Sequence, residues 1–262
     1  RITQTDDDGA AFHAQWDSSF VHPVREAVIT PDDASRSMQD VVRAVTMRYN
    51  DNAFHRVIYT ESHDEVANGR ARVPYEIDEG DSTGWYAQKR STLGAALALT
   101  SPGIPMLFQG QEFLQGGWFR DDVPLDWAQN EEFHGVVRLY RDLIMLRRNA
   151  AGLTKGLTGH NTEILHGDEE RNTLAYHRWA DGGPRDSTVV MVNLSHDSVE
   201  GLPVRMPSTG LWKLRLNSDA RIYSDAFGDG DAFDLDAHDE AGTGIFALAS
   251  IPAYSVLIYS QD

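Results

Sequence analysis

Strand and helix signals alternate only up to about Gly152 of this 262-residue chain, and beyond it short β-rich runs take over. In the first part, stretches 11–16, 54–60 and 106–108 are aromatic or apolar and read as strands. Stretch 32–49 carries Met38, Val41, Val42, Val45 and Tyr49 at helical spacing. Stretch 86–100 is rich in Ala and Leu, and a last stripe of Val136, Leu139, Tyr140, Leu143 and Ile144 ends at Arg147-Arg148, where the helix dipole explains the two cations. Three strand–helix repeats predict parallel strands covered by helices. After the change of pattern, runs at 174–179, 188–193, 211–216, 244–248 and 255–259, separated by turn clusters such as Asp181-Gly182-Gly183-Pro184, predict an antiparallel β-sandwich. The expected organisation is therefore α/β over residues 1–150 followed by all-β over 151–262.

Three βα units do not close on themselves. A barrel of this kind needs eight strands, and an open three-stranded sheet leaves two unpaired edges. Residues 1–150 are thus expected either to be the C-terminal piece of a (β/α)8 TIM barrel or to borrow strands by self-association. The opening Arg1-Ile2-Thr3-Gln4 has no Met, which favours the first.

Charge narrows the partners. Lys and Arg number 23 against 40 Asp and Glu, a formal net charge of −17, which argues against nucleic acid or an anionic membrane. A neutral substrate such as a sugar meets no such objection. No apolar run approaches the ~18–20 residues of a membrane span. The chain has no Cys, so it forms no disulfide, which fits a cytoplasmic location. Its ten His include no pair spaced on one helix face, and Asp6-Asp7-Asp8 lacks the spacing of a calcium loop, so neither a metal nor a cofactor is expected.

The segment Tyr59-Thr60-Glu61-Ser62-His63-Asp64-Glu65 carries the strongest chemical signal, because it follows an apolar strand directly. In βα architectures, polar residues at the C-terminal ends of strands line the active site. Adjacent His and Asp there can bind vicinal hydroxyls, and a carboxylate can stabilise a developing oxocarbenium charge. The competing reading is a strand-end His beside an Asp that caps the next helix.

The wider sequence bears on that choice. The run Ser62-His63-Asp64-Glu65 resembles the signature that follows strand seven in the alpha-amylase superfamily (glycoside hydrolase family 13), most closely in its 1,4-alpha-glucan branching enzymes. Phe108-Gln109-Gly110-Gln111-Glu112-Phe113 is similar to the family's strand-eight end, and Trp118 with Pro124-Leu125-Asp126-Trp127 to the loop after it. Phe12 to Asp17 resembles strand six, with Asp17 standing where those enzymes usually carry Asn. The motifs occur in family order over nearly the whole chain.

The resemblance implies barrel strands six to eight, then the family's C-terminal sandwich. It implies a retaining enzyme that cleaves and transfers α-1,4-glucosidic bonds, with Asp64 as its third catalytic carboxylate and His63 gripping the same sugar. Trp16, Asp17, Gln111, Glu112 and Trp118 become candidate contacts to an alpha-glucan or maltooligosaccharide. The nucleophile and acid/base belong to earlier strands, and no matching motif occurs here, so the chain alone is expected to be inactive without the missing N-terminal half of the barrel. The alternative is a non-catalytic carbohydrate-binding or interaction protein, stabilised by self-association through its exposed barrel edges.

Overall fold

The computed structural model describes residues 2–7, 9–67 and 69–262; Asp8, the last member of the acidic loop, lies outside the described residues. Three two- or three-residue strands, β1 (Gln15–Trp16), β2 (Arg56–Ile58) and β3 (Ile104–Pro105), form a parallel sheet in that order. Trp16 pairs with Val57, and Ile58 with Pro105, so the three chains leave the sheet side by side on one face. The third strand lies just before the expected 106–108, and those residues are half-buried instead of enclosed on both faces. Among the described residues this sheet has three strands and does not close into a barrel.

Helices cover it. Helix α1 (Ser18–Ile29) has Asp17 as its N-cap, which accepts from the Ser19 amide, and buries Phe20, Val21, Val24, Ala27 and Val28. Pro23, inside the helix, hides this periodicity from a sequence reading. Helix α2 (Met38–Thr46) buries Met38, Val41 and Val45 of the expected stripe together with Ala44; it is shorter than the expected 32–49, because Asp33–Ser35 form a separate turn and Tyr49 lies beyond its end. A short α3 (Val73–Ile77) precedes α4 (Trp85–Thr100), whose residues are buried without a break from Ala87 to Thr100. A helix enclosed on all sides has no solvent face, which is why its sequence shows no amphipathic stripe. The short α5 (Ala128–Glu132) leads into α6 (His134–Arg147), which buries Val136, Leu139, Tyr140 and Leu143.

The remaining strands are β4 (Asn161–Asp168), β5 (Thr173–Trp179), β6 (Thr188–Asn193), β7 (Val199–Arg205), β8 (Gly210–Asn217), β9 (Leu235–Asp239), β10 (Ile245–Ile251) and β11 (Ser255–Ser260). They form one antiparallel sheet in the order β4-β5-β6-β11-β8-β9-β10-β7. One face of β5, β6 and β11 contributes Ala175, Val189, Met191 and Leu257 to a core shared with Leu202, Val204, Trp212 and Ala249 of the other strands, so the sheet folds back on itself like a sandwich. The opposite face supplies Leu174, Tyr176, Val190, Val192 and Ile258 to the core of α1, α2, α4 and α6. Strands β6 and β11 are therefore buried on both faces, which explains their unbroken apolar sequences.

Polar contacts bind the two parts. Glu169, in the β4–β5 turn, accepts from the Met38 and Gln39 amides and caps α2. Lys89 of α4 meets Asp219 at 2.6 Å, both buried, and Asp219 also accepts from the Gly228 and Gly230 amides. Asp33 accepts from the Tyr254 hydroxyl, the Ser195 hydroxyl and the His196 amide.

Two expectations follow. Removing one partner of a buried ion pair strands the other charge, so Asp219→Ala should cost about 3–5 kcal/mol of unfolding free energy. Urea denaturation checks this, with the exposed Lys213–Asp262 pair as a control that should cost under about 1 kcal/mol. For Asp33, burial raises the carboxyl pKa, but Tyr254, the His196 amide, Arg36 and Ser195 outweigh it and hold it below the usual value. Such a group adds stability above its unfolded pKa, near 3.9, and loses it as pH falls through the depressed folded value. Asp33→Asn should therefore melt below the parent at pH 7, and the two melting curves should converge below about pH 4.

Candidate active-site face at the strand ends

The parallel register delivers three segments to one face: Asp17 after β1, 59–65 after β2 and 106–112 after β3. Trp16, at the end of β1, packs edge-on against Tyr59 with ring centroids 5.4 Å apart, and against His63 at 5.7 Å. His63 Nε2 lies 3.3 Å from Asp64 Oδ1. Trp16 is 45% exposed, and the His63 and Asp64 side chains are 57% and 71% exposed. An indole, an imidazole and a carboxylate thus stand together in solvent at the strand ends. Tyr59 lies buried beneath them, and burial, with the charges of Glu65, Asp17 and Asp64, pushes its hydroxyl up to about 12.

The loop that carries His63 and Asp64 is held by its neighbours. Glu65 accepts from Arg70 at 2.8 Å, approaches His22 at 3.2 Å, and its amide donates to Ser62 Oγ. Glu61 is fully buried, pairs with Arg72 at 3.3 Å and accepts from the Val73 amide at 2.6 Å. Burial pushes the Glu61 carboxyl up against the pull of Arg72 and that amide. Arg72 also donates to the Gln109 carbonyl and lies over the Phe108 ring, which links the second strand-end loop to the third.

Asp17 is not presented to a ligand. Its side chain has no exposure, meets Arg56 Nε at 2.6 Å, caps α1 and accepts from the Tyr49 hydroxyl at 2.7 Å. The expectation that it contacts substrate is corrected here: a strand-end carboxylate followed by two serines and an apolar stripe is a helix cap, and Arg56 draws it inward. Gln111 is also buried, bridging the Phe108 amide and the Tyr140 hydroxyl, and so braces its loop. Glu112 is half-buried and adds negative charge near Arg72. Trp118 is 60% exposed, on a loop joined to the second strand-end loop by Phe119 amide to Val66 carbonyl and Arg72 amide to Gly117 carbonyl hydrogen bonds, each 2.7 Å. It borders a groove of about 580 Å³ lined by Arg70, Tyr75 and Glu79. Tyr59 and Arg72 were missed as site residues. Tyr59 is the last residue before the polar loop and could have been found by asking what supports Trp16.

If Asp17 serves folding and not binding, Asp17→Ala should lower unfolding free energy by about 3–5 kcal/mol, the usual cost of leaving a buried cation unpaired. A melt near the parent's, with sugar affinity lost, would return Asp17 to the binding surface.

Comparison with known proteins supplies the context for this face. Residues 164–262 match the family described as the alpha-amylase C-terminal all-beta domain. The 1,4-alpha-glucan branching enzyme GlgB of Pseudomonas syringae pv. tomato is 30% identical over 259 residues, which is 96% of this chain and 34% of that protein. GlgB of Thermobifida fusca is 30% identical over 84% of this chain and 29% of its own length. The chain thus spans about a third of the curated relatives it matches. Among solved structures, a pullulanase from Anoxybacillus sp. LM18-11 superposes with a TM-score of 0.65 at 18% identity, covering 95% of this chain and 34% of that one. An alpha-amylase from H. orenii gives 0.59 at 16% identity over 96% of this chain and 49% of its own. These two show a shared fold.

Proposed function

Because the chain belongs to the alpha-amylase superfamily, as a C-terminal part related to branching enzymes, we propose that its strand-end face is part of an alpha-glucan site. On this reading β1, β2 and β3 are strands six to eight of a (β/α)8 barrel, residues 1–150 form its last portion, and 151–262 form the sandwich after it. The whole protein cleaves an α-1,4 bond through a covalent glycosyl intermediate and transfers the glycosyl group to a sugar hydroxyl. The nucleophile and acid/base come from preceding strands, so this chain alone is inactive.

The observation that carries the reading is the exposed trio of Trp16, His63 and Asp64 on one strand-end face. The indole offers an apolar surface to a pyranose ring. His63 and Asp64 take neighbouring hydroxyls, and the carboxylate favours the positive charge that builds as the ring flattens. Two further pullulanase structures similar in fold are complexes with maltotetraose and maltotriose, which fits a glucan partner.

Contacts made chiefly in the transition state lower kcat more than they change KM. In the complete protein, Asp64→Asn should cut kcat by about 10³ or more, roughly 4 kcal/mol of activation free energy, with its melting temperature preserved. His63→Ala should cost about 10–100-fold, the scale of one or two hydrogen bonds to a neutral sugar. Iodine staining of branched product and reducing-end release on amylose provide the readout. Near-parental kcat in Asp64→Asn would return that residue to a surface role.

A further inference from the structure

The outer face of the folded-back sheet carries apolar side chains that the core does not use. Along β10, Ala247 and Ala249 point into the core, while Phe246 and Leu248 point out and Leu248 is 70% exposed. Leu248 stands opposite Pro203 of β7, and Phe246 opposite His238 of β9. These residues floor a groove of about 520 Å³, and Leu211 of β8, 50% exposed, extends the apolar surface beyond Asp236. The wall of the groove is acidic, with Asp234, Asp236 and Glu240 along and beside β9. An apolar patch on an outward sheet face marks a contact surface. Its carboxylate wall selects an apolar partner that is also cationic.

Helix α6 presents that chemistry. His134, Arg138, Arg141, Met145 and Arg148 are exposed at helical spacing, on the face opposite buried Val136, Leu139 and Leu143. In a chain of net charge −17, this stripe contains no carboxylate. Arg138 is shared with Asp142 at 3.7 Å, which leaves Arg141 and Arg148 as the cations flanking Met145, itself 48% exposed. The spacings agree. Two helical turns set Arg141 and Arg148 about 10 Å apart, and four residues of extended chain set Asp236 and Glu240 about 13 Å apart, a difference that arginine side chains span. The stripe does not reach the groove of its own chain: α6 packs into the core on one face of β5, β6 and β11, and the groove lies beyond the core on the other.

We propose that the β7–β10–β9 face docks the α6 stripe of a second copy of this chain, with Met145 seated on Phe246 and Leu248 and with Arg141 and Arg148 against the acidic wall. Because the two surfaces differ and lie apart, the contact is head-to-tail and leaves one surface of each kind free at the ends. The proposal uses no strand-end residue and is independent of the glucan reading.

Sedimentation of the purified protein at concentrations up to about 1 mM, in 0.15 M salt where charges beyond about 8 Å are screened, tests this. The average mass should rise with concentration. Arg141→Glu with Arg148→Glu, and separately Asp236→Lys with Glu240→Lys, should each weaken association at least about 100-fold, since like charges then face each other. Mixing those two variants should give a dimer and nothing larger, because one keeps an intact groove and the other an intact stripe. All four substitutions in one chain should restore association. Arg43→Glu with Arg171→Glu makes the same change of net charge as the stripe variant, on exposed residues elsewhere, and should associate like the parent. A parent that stays monomeric at the highest concentration overturns the proposal, as does association that survives either reversal or a mixture that remains monomeric. Equal loss in the Arg43 and Arg171 control would trace the effect to net charge and overturn it too.

Discussion

Buried arginines end the helices, and the rest of the structure hangs from those ends. A helix leaves its last carbonyls without intrahelical donors, and inside a protein each must find one. At the end of α1, Arg36 donates to Ala27 and Thr30, and Arg90 also reaches Thr30. At the end of α2, Arg56 takes the Ala44 and Met47 carbonyls. Beyond the end of α4, Arg147 takes Ser101 and Gly103, and Arg178 takes Thr100. The guanidinium suits this task, having five donors in a planar fork and a positive charge that matches the negative end of the helix dipole. Because Arg56 opens β2 and Arg178 lies in β5, each cap also fixes a strand relative to a helix.

These cations divide the carboxylates of the strand-end face into two kinds. Asp17 neutralises Arg56 and Glu61 neutralises Arg72, so both are drawn under the surface and serve the fold. Glu65 is held between Arg70 and His22. Among the described residues Asp64 pairs with His63 alone, and its side chain remains in solvent. The chemistry of the face therefore depends on which acids the buried arginines have already engaged, and adjacency in sequence does not reveal that. Glu61, Asp64 and Glu65 lie within five residues of one another and have three different fates.

The same logic sets what could be read beforehand. Strands β6 and β11 were legible because burial on both faces forces continuous apolar runs, and α2 and α6 because one-sided burial forces stripes. Helix α1 was hidden by Pro23, and β7 and β9 by Gly201, Pro203 and charged outward positions. His63 and Asp64 were legible as an exposed strand-end pair, since a polar loop after an apolar strand has few other places to go. Asp17 was misread, because its fate depends on Arg56, distant in sequence. Arg147 was misread in the same way: the helix dipole accounts for a cation at the end of α6, but its side chain is buried and serves the carbonyls beyond α4.

Burying arginines also changes the outside of the molecule. Among the described residues, eight Arg and Lys side chains are buried against five Asp and Glu, so the surface is more acidic than the net charge of the sequence suggests. On approach such a surface repels an anion and attracts a cation. Neutral ligands escape both effects and are sorted by shape and hydrogen bonding alone. Aromatic rings beside polar groups, as at Trp16 with His63, are the features that sort in that way. The arginines that close the helices thus also leave behind a surface charge that a neutral ligand meets without an electrostatic penalty.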